Sequence, residues 1–141
     1  MKKSAGIIPY KIEDENVKFF LGHPGGMGRP YYALLKGEVK DGEPDAEAAL
    51  REFREESGVD LSQYSDRMEY LGEVQQNKTK RVVAYGIHVD DIDTGECYSN
   101  LCEDGVTPEI DKYAWLCFDE VMALSHKTHR VFYQKIMESL A

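Results

Sequence analysis

Long apolar segments are absent from this sequence of 141 residues. No stretch approaches the roughly 18 consecutive apolar residues that a membrane-spanning helix requires. The basic segment at residues 1–4 is followed by an apolar run that Gly6 and Pro9 interrupt, which is too short for a signal peptide. Cysteine is also scarce. The chain has three cysteines, an odd number, and they form no C-x-x-C pair. We therefore expect neither a disulfide framework nor a zinc site, and we expect a cytoplasmic location.

An excess of basic residues is absent as well. The 17 Lys and Arg residues are outnumbered by 26 Asp and Glu residues, for a net charge of −9. This balance argues against non-specific binding to nucleic acid and against binding to anionic membranes, because both require basic patches. It does not exclude a small phosphorylated substrate, which a local cluster of metal ions, Lys and Arg can hold. Repeats, low-complexity tracts and linkers are missing too, so we expect one α+β domain over residues 1–141.

Secondary structure is predicted from the periodicity of apolar residues and from the positions of Gly and Pro. We predict strands at residues 4–12, 17–21, 31–35, 68–76, 81–89 and 110–118. We predict helices at residues 44–58, 119–124 and 126–140, with Phe132, Ile136 and Leu140 facing a core. Pro9 is expected at a sheet edge or a bulge, because proline cannot donate a ladder hydrogen bond.

Three carboxylates carry the strongest chemical signal. Glu52, Glu55 and Glu56 have the spacings i, i+3 and i+4 on the predicted helix, which place them on one side of it. Like charges at this spacing destabilise a helix by about 0.2–0.5 kcal/mol per pair. A cation that neutralises them is therefore expected, and Mg²⁺ prefers such oxygen ligands. Relative to the apolar stripe of this helix, we expect the acidic face to lie beside the core rather than in it.

The segment 37–59 resembles the signature of the Nudix family, G-x5-E-x7-R-E-U-x-E-E-x-G-U, where U is a bulky apolar residue. This signature is called the box below. The match holds at all of the defined positions. These are Gly37, Glu43, Arg51, Glu52, Phe53, Glu55, Glu56, Gly58 and Val59. Downstream, residues 108–111 with Trp115 resemble a segment of diadenosine tetraphosphate hydrolases. The resemblance implies a Nudix fold, in which a mixed β-sheet lies between α-helices. It also implies an enzyme that hydrolyses a diphosphate bond in a nucleoside diphosphate derivative with the help of Mg²⁺ or Mn²⁺.

The resemblance also implies roles for individual residues. The expected metal ligands are Gly37, through its carbonyl, with Glu52, Glu55, Glu56 and Glu109. The catalytic set is Glu52, Glu55, Arg51 and Glu109, in which Glu52 or a nearby glutamate serves as base. Arg51 is expected to pair with Glu43 or Glu55 and to orient it.

Residues outside the box leave alternatives open. Glu109 is a further metal ligand or base, or an exposed loop residue, and Glu103 is the alternative. Substrate contacts are expected from Lys36, Lys80 and Tyr32. Lys80, with its neighbours Lys78 and Arg81, could instead belong to a solvated turn. Tyr32, or its neighbour Tyr31, could instead pack in the core.

The substrate is predicted only as a class. Dinucleoside polyphosphates and nucleoside triphosphates are favoured, and residues 23–26 with 108–111 resemble predicted nucleoside triphosphate pyrophosphohydrolases. No proline follows the box before Pro108, which argues against an ADP-ribose pyrophosphatase. A catalytically silent nucleotide-sensing domain and an interaction domain with an acidic surface remain the alternatives. The oligomeric state is open, with a homodimer among the choices.

Overall fold

A computed structural model describes all residues from 1 to 141. Its strands are β1 (Lys2–Glu13), β2 (Asn16–Pro24), β3 (Leu35–Glu38), β4 (Glu69–Gln75), β5 (Lys80–His88) and β6 (Ile110–Cys117). Its α-helices are α1 (Asp45–Ser57), α2 (Phe118–Leu124) and α3 (Arg130–Leu140). Short 3₁₀ turns occur at Ser62–Arg67, Thr94–Glu96 and Lys127–His129.

One six-stranded sheet forms the centre, in the order β4-β5-β1-β2-β6, with β3 also paired to β1. The β1–β5 pair is parallel and the other pairs are antiparallel, so the sheet is mixed. Helix α1 packs on one face, and α2 and α3 pack on the other. The predicted α+β architecture, a mixed sheet between helices, is confirmed.

The two cores follow from the alternation of side chains along the strands. In β1, Ala5 and Ile7 pack under α1, whereas Ile8 and Tyr10 pack under α2 and α3. Because the strand is covered on both faces, it reads as a continuous apolar run rather than an alternating one. This is why periodicity alone could not assign its faces.

Pro9 lies in a central strand, so the prediction of an edge or bulge position was wrong. On the side opposite β5, residues Ser4–Ile7 pair with β3 and residues Tyr10–Glu13 pair with β2. Pro9 therefore occupies the gap between two neighbours, where a missing N–H interrupts neither ladder.

Helix α1 begins and ends at residues that the sequence identifies. Pro44 precedes its first turn, and Gly58 ends it with φ of 78° and an N–H that bonds to the carbonyl of Arg54 at 2.7 Å. A left-handed residue at this position is the usual glycine-capped helix end. The helix buries Ala49 and Phe53 against the sheet and thereby directs its glutamate face toward β3.

The predicted helix at 126–140 is a 3₁₀ turn followed by α3, and its last residue is not in the core. Phe132 and Ile136 are buried as expected, but Leu140 is 38% exposed. No helix of the structure has the length and apolar character needed to cross a membrane.

Candidate active site

Arg51 is the centre of an ion-pair network on α1. Its Nε and Nη2 donate to the two carboxylate oxygens of Glu43 at 2.9 and 3.0 Å. Its Nη1 donates to Glu52 at 2.8 Å and to Glu55 at 3.2 Å, and Nη2 also reaches the carbonyl of Glu38 at 3.0 Å. Arg51 thus holds both of its predicted partners and Glu52 besides. The hydrogen bonds from Arg51 lower the pKa of Glu43 to about 2.

Glu56 is the exception on the acidic face. Its side chain is buried, with only 7% of the residue exposed, whereas Glu52 and Glu55 are partly exposed. The backbone N–H of Lys36 donates to its Oε1 at 3.1 Å. Burial, and then the charges of Glu52 and Glu109, raise the pKa of Glu56 to about 8. The folded protein therefore disfavours the charged form of Glu56.

Gly37 in β3 lies against the side chain of Glu52 on α1. A Cβ at this position would overlap the carboxylate of Glu52, so any other residue here would displace that carboxylate. This contact accounts for the glycine at the start of the box, and Gly37 itself lies in β3.

The acidic residues fit a hard divalent cation by their chemistry, but they are not gathered around one. No three His, Cys, Asp or Glu side chains are arranged to hold a metal ion. Glu52 and Glu55 instead turn toward Arg51. The pKa of Glu56 is raised first by burial and then by the charges of Glu52 and Glu109, and a divalent cation bound beside it would favour the ionised carboxylate. The assignment of the metal ligands stays a prediction.

A cleft of about 390 Å³ opens beside this cluster, and we call it the main cleft. Glu56 and Glu109 line it together with Lys36 and Lys80, so it presents charges of both signs. Burial lowers the pKa of Lys36, and the nearby ammonium of Lys80 lowers it further. The remaining walls are formed by Pro24, Met27, Arg29, Tyr31, Ala33, Leu34, Gln76, Ile110 and His126.

Comparison with known proteins agrees with this geometry. The sequence model described as NUDIX domain matches residues 3–140. The chain belongs to the Nudix family. The predicted family membership is thereby confirmed, and so is the prediction that this Nudix protein is a pyrophosphohydrolase.

Two curated relatives of this Nudix protein carry the same name, bis(5'-nucleosyl)-tetraphosphatase (asymmetrical). The protein from Rattus norvegicus is 32% identical over 123 residues, which cover 84% of this chain and 76% of the relative. The protein from Sus scrofa is 30% identical over 122 residues, with the same coverage of 84% and 76%.

Solved structures agree in fold. An Ap4A hydrolase binary complex from C. elegans has a TM-score of 0.74 at 20% identity and covers 99% of this chain and 98% of its own. The NUDIX domain of Shewanella oneidensis NrtR, solved with ADP ribose, has a TM-score of 0.71 at 15% identity and covers 99% and 88%. At these identities the likeness concerns the fold alone.

The structure brings most of the predicted site residues of this Nudix protein together, but not all. Lys36, Lys80, Glu56 and Glu109 line the main cleft. Tyr32 lies outside it, in a neighbouring cleft of about 320 Å³, where it packs edge-on against the ring of His23 at 5.7 Å. Two other residues considered beside Lys80 and Glu109 also lie elsewhere: Arg81 pairs with Glu73 at 2.6 Å, and Glu103 is exposed in a loop.

Of the two tyrosines considered from the sequence, Tyr31 rather than Tyr32 lines the main cleft. His126 and Tyr113 were missed by the sequence reasoning. His126 lines the main cleft from the segment before α3. Tyr113 donates its hydroxyl to the backbone carbonyl of Glu56 at 2.5 Å and so supports the end of α1. Tyr31 follows Arg29 and Pro30, whose irregular backbone breaks the strand alternation that would have identified its face.

Proposed function

We propose that this Nudix protein hydrolyses a phosphoanhydride bond of a dinucleoside polyphosphate, with diadenosine tetraphosphate as the first candidate, and that it requires Mg²⁺ or Mn²⁺. The observation that carries the proposal is the mixed charge of the main cleft, where carboxylates of Glu56 and Glu109 face the ammonium groups of Lys36 and Lys80. The names of two relatives that are at least 30% identical to this chain support the substrate class.

The charge distribution suits a polyphosphate chain bound between two kinds of group. The ammonium groups of Lys36 and Lys80 attract phosphate oxygens directly. The carboxylates of Glu52, Glu55, Glu56 and Glu109, with the carbonyl of Gly37, would hold divalent cations. When bound, such cations neutralise the anhydride and lower the pKa of a bound water.

Arg51 and Glu109 have separate tasks in this proposal. Arg51 donates two hydrogen bonds to Glu43 and forms ion pairs with Glu52 and Glu55. It would therefore orient the carboxylates that are proposed as metal ligands. Glu52 is engaged by Arg51 at 2.8 Å, whereas Glu109 is exposed in the cleft. Glu109 is therefore better placed than Glu52 to accept a proton from an attacking water.

The first experiment is a substrate panel. Diadenosine tetraphosphate, nucleoside triphosphates and ADP-ribose are incubated with the protein and either Mg²⁺ or Mn²⁺, and the products are separated by chromatography. We expect turnover of diadenosine tetraphosphate to exceed that of the other compounds. Preferred hydrolysis of a nucleoside triphosphate would replace the substrate class, and binding without any product would favour a nucleotide-sensing domain.

Glutamine variants then test the site. Glu55→Gln and Glu56→Gln should each lower kcat/KM at least about 100-fold, since even changes outside the ligand set cost about 10- to 100-fold. The matched control is Glu47→Gln, which changes an exposed glutamate of α1 at an undefined position of the box and should leave the rate unchanged. Full activity in the folded Glu55→Gln and Glu56→Gln variants would refute the assignment.

A further inference from the structure

A loop between β2 and β3 forms one wall of the main cleft, and we call residues 24–31 the cleft loop. Met27, Arg29 and Tyr31 of this loop line the cleft. The guanidinium of Arg29 lies 5.3 Å from the centre of the Tyr31 ring, so the two side chains form one surface. The cleft loop contains no regular secondary structure beyond the first residue of the segment, which ends β2. Its position must therefore be fixed by particular contacts.

His23, the residue before the cleft loop, makes two such contacts. It is buried, with 6% of the residue exposed. Its Nδ1 lies 2.6 Å from the carboxylate of Asp111 in β6, and its Nε2 lies 2.9 Å from the backbone carbonyl of Arg29. Both partners are oxygens that accept hydrogen bonds, and a ring N–H can donate to either of them. The ring thus bridges β6 and the far end of the cleft loop.

A backbone contact joins the same two segments at the near end of the loop. The N–H of Gly25 donates to the carbonyl of Glu109 at 2.8 Å. A Cβ at Gly25 would overlap the carbonyl oxygen of Pro108, so the two backbones are in direct contact. The segment that carries Glu109 is therefore held to the cleft loop at Gly25 and, through Asp111, at His23.

We propose that His23 is a positioning residue, which with Asp111 holds the cleft loop against the segment of Glu109 so that Arg29 and Tyr31 are preorganised to bind the nucleotide. The inference rests on the proposed function for the identity of the ligand, but the bridge itself does not. Arg29 and Tyr31 belong to the cleft wall and not to the carboxylate cluster. Releasing the loop should therefore weaken substrate binding more than it slows the chemical step.

Two substitutions separate the contacts of the ring. His23→Asn keeps a donor near the position of Nδ1, facing Asp111, and His23→Gln keeps one near the position of Nε2, facing the Arg29 carbonyl. Each variant lacks one half of the bridge. Asp111→Asn retains the shape of the partner and removes its charge, which supplies a milder third variant. His88→Gln is the matched control, because His88 is exposed on β5.

The first readout needs no substrate. Amide hydrogen exchange is measured for peptides that cover residues 24–31, at a temperature where every variant is folded. We expect faster exchange there in His23→Asn and His23→Gln, a smaller increase in Asp111→Asn, and no change in His88→Gln. Wild-type exchange in both folded His23 variants would overturn the proposal, whatever the protein hydrolyses.

The second readout is steady-state kinetics with diadenosine tetraphosphate and Mg²⁺. For the His23 variants we expect KM to rise about tenfold while kcat stays within about threefold of wild type, the pattern of lost ground-state binding. A fall in kcat at unchanged KM would contradict the positioning role. If the wild-type protein turns over no compound of the panel, the proposed function fails, and the exchange data still decide whether His23 holds the loop.

Discussion

At the scale of single residues, the charge of Arg51 matters less than its shape. A planar guanidinium reaches Glu43 with two parallel bonds and still has donors for Glu52, Glu55 and the carbonyl of Glu38. A lysine ammonium keeps the charge but cannot match this geometry. Arg51→Lys should therefore lower kcat about 10- to 100-fold, the usual cost of losing the partner that orients a ligand.

The measurement for Arg51 compares kcat and the Mg²⁺ concentration that gives half-maximal rate. Arg54→Lys is the matched control, because Arg54 lies on the same helix and is exposed. We expect Arg54→Lys to retain the wild-type rate and metal requirement. An Arg51→Lys enzyme with both values unchanged would show that charge alone orients the cluster.

Two tyrosines of the core differ in one hydrogen bond. Tyr133 is fully buried, and its hydroxyl has no partner, whereas the hydroxyl of Tyr10 donates to Glu69 at 2.7 Å. Tyr133→Phe should leave the free energy of unfolding unchanged or raise it by up to about 1 kcal/mol, because it removes an unsatisfied buried group. Tyr10→Phe should lower that free energy by about 1 kcal/mol. Urea titrations of both variants test the pair, and a larger loss in Tyr133→Phe than in Tyr10→Phe would contradict it.

At the scale of elements, the accuracy of the sequence-based predictions depended on how local the signals were. Helix α1 was predicted almost to the residue, because Pro44 and Gly58 lie at its ends and residues 51–56 of the box lie within it. Strand β3 was expected at residues 31–35 and lies at Leu35–Glu38. Its bounds are set by pairing with β1, where Ile7 faces Leu35 and Ser4 faces Glu38. That pairing joins segments about thirty residues apart in the chain, so no local pattern reveals it.

The same limit applies to the site. The carboxylate cluster was predictable because one helix carries it, whereas the main cleft is assembled from five separate segments of the chain. The position of Tyr32 outside the cleft follows from the shift of β3, since residues 31–34 are irregular and do not alternate as a strand would. The burial of Glu56 likewise depends on β3, whose Lys36 N–H lies against its carboxylate.

The junction between α3 and the end of β4 should make stability depend on pH. His129 is fully buried there, and its Nε2 lies 2.8 Å from the side-chain oxygen of Gln76. Burial, and then the charge of Lys36, lower the pKa of His129 to about 3. In the unfolded chain the pKa of a histidine is about 6.5. Between these values only the unfolded chain binds the proton, so the stabilisation is complete above about pH 6.5 and is lost as pH falls toward 3.

Urea midpoints at pH 7 and pH 5 test this dependence in wild type and His129→Gln. Wild type should lose about 1–2 kcal/mol more than the variant between the two pH values, because the slope approaches about 1.4 kcal/mol per pH unit. His88→Gln, which changes an exposed histidine, should follow wild type. Equal losses in wild type and His129→Gln would mean that the buried ring is protonated in the folded protein.

At the scale of the whole molecule, the buried carboxylate of the site lowers the free energy of unfolding, and the rest of the fold must offset this loss. The protein carries a net charge of −9, and the buried carboxylate of Glu56 lies within the influence of Glu52 and Glu109. Because its pKa is raised to about 8, the folded state resists an ionisation whose midpoint in the unfolded chain lies near pH 4.5. The penalty grows as pH rises toward 8, and a divalent cation at the cluster would reverse it.

Glu56→Gln should therefore have opposite effects with and without metal. In EDTA at pH 8, the variant should be more stable than wild type by about 1–3 kcal/mol, since it keeps the shape of the side chain and its acceptor for Lys36 N–H while it removes the charge. With millimolar Mg²⁺, the Tm of wild type should rise, because ligand binding stabilises the folded state by mass action, and the rise should be smaller in Glu56→Gln. Glu47→Gln and NaCl of equal ionic strength are the controls for surface charge and screening. An equal response of wild type and Glu56→Gln to Mg²⁺ would place the cation away from Glu56. It would also refute the assignment of Glu56 as a metal ligand.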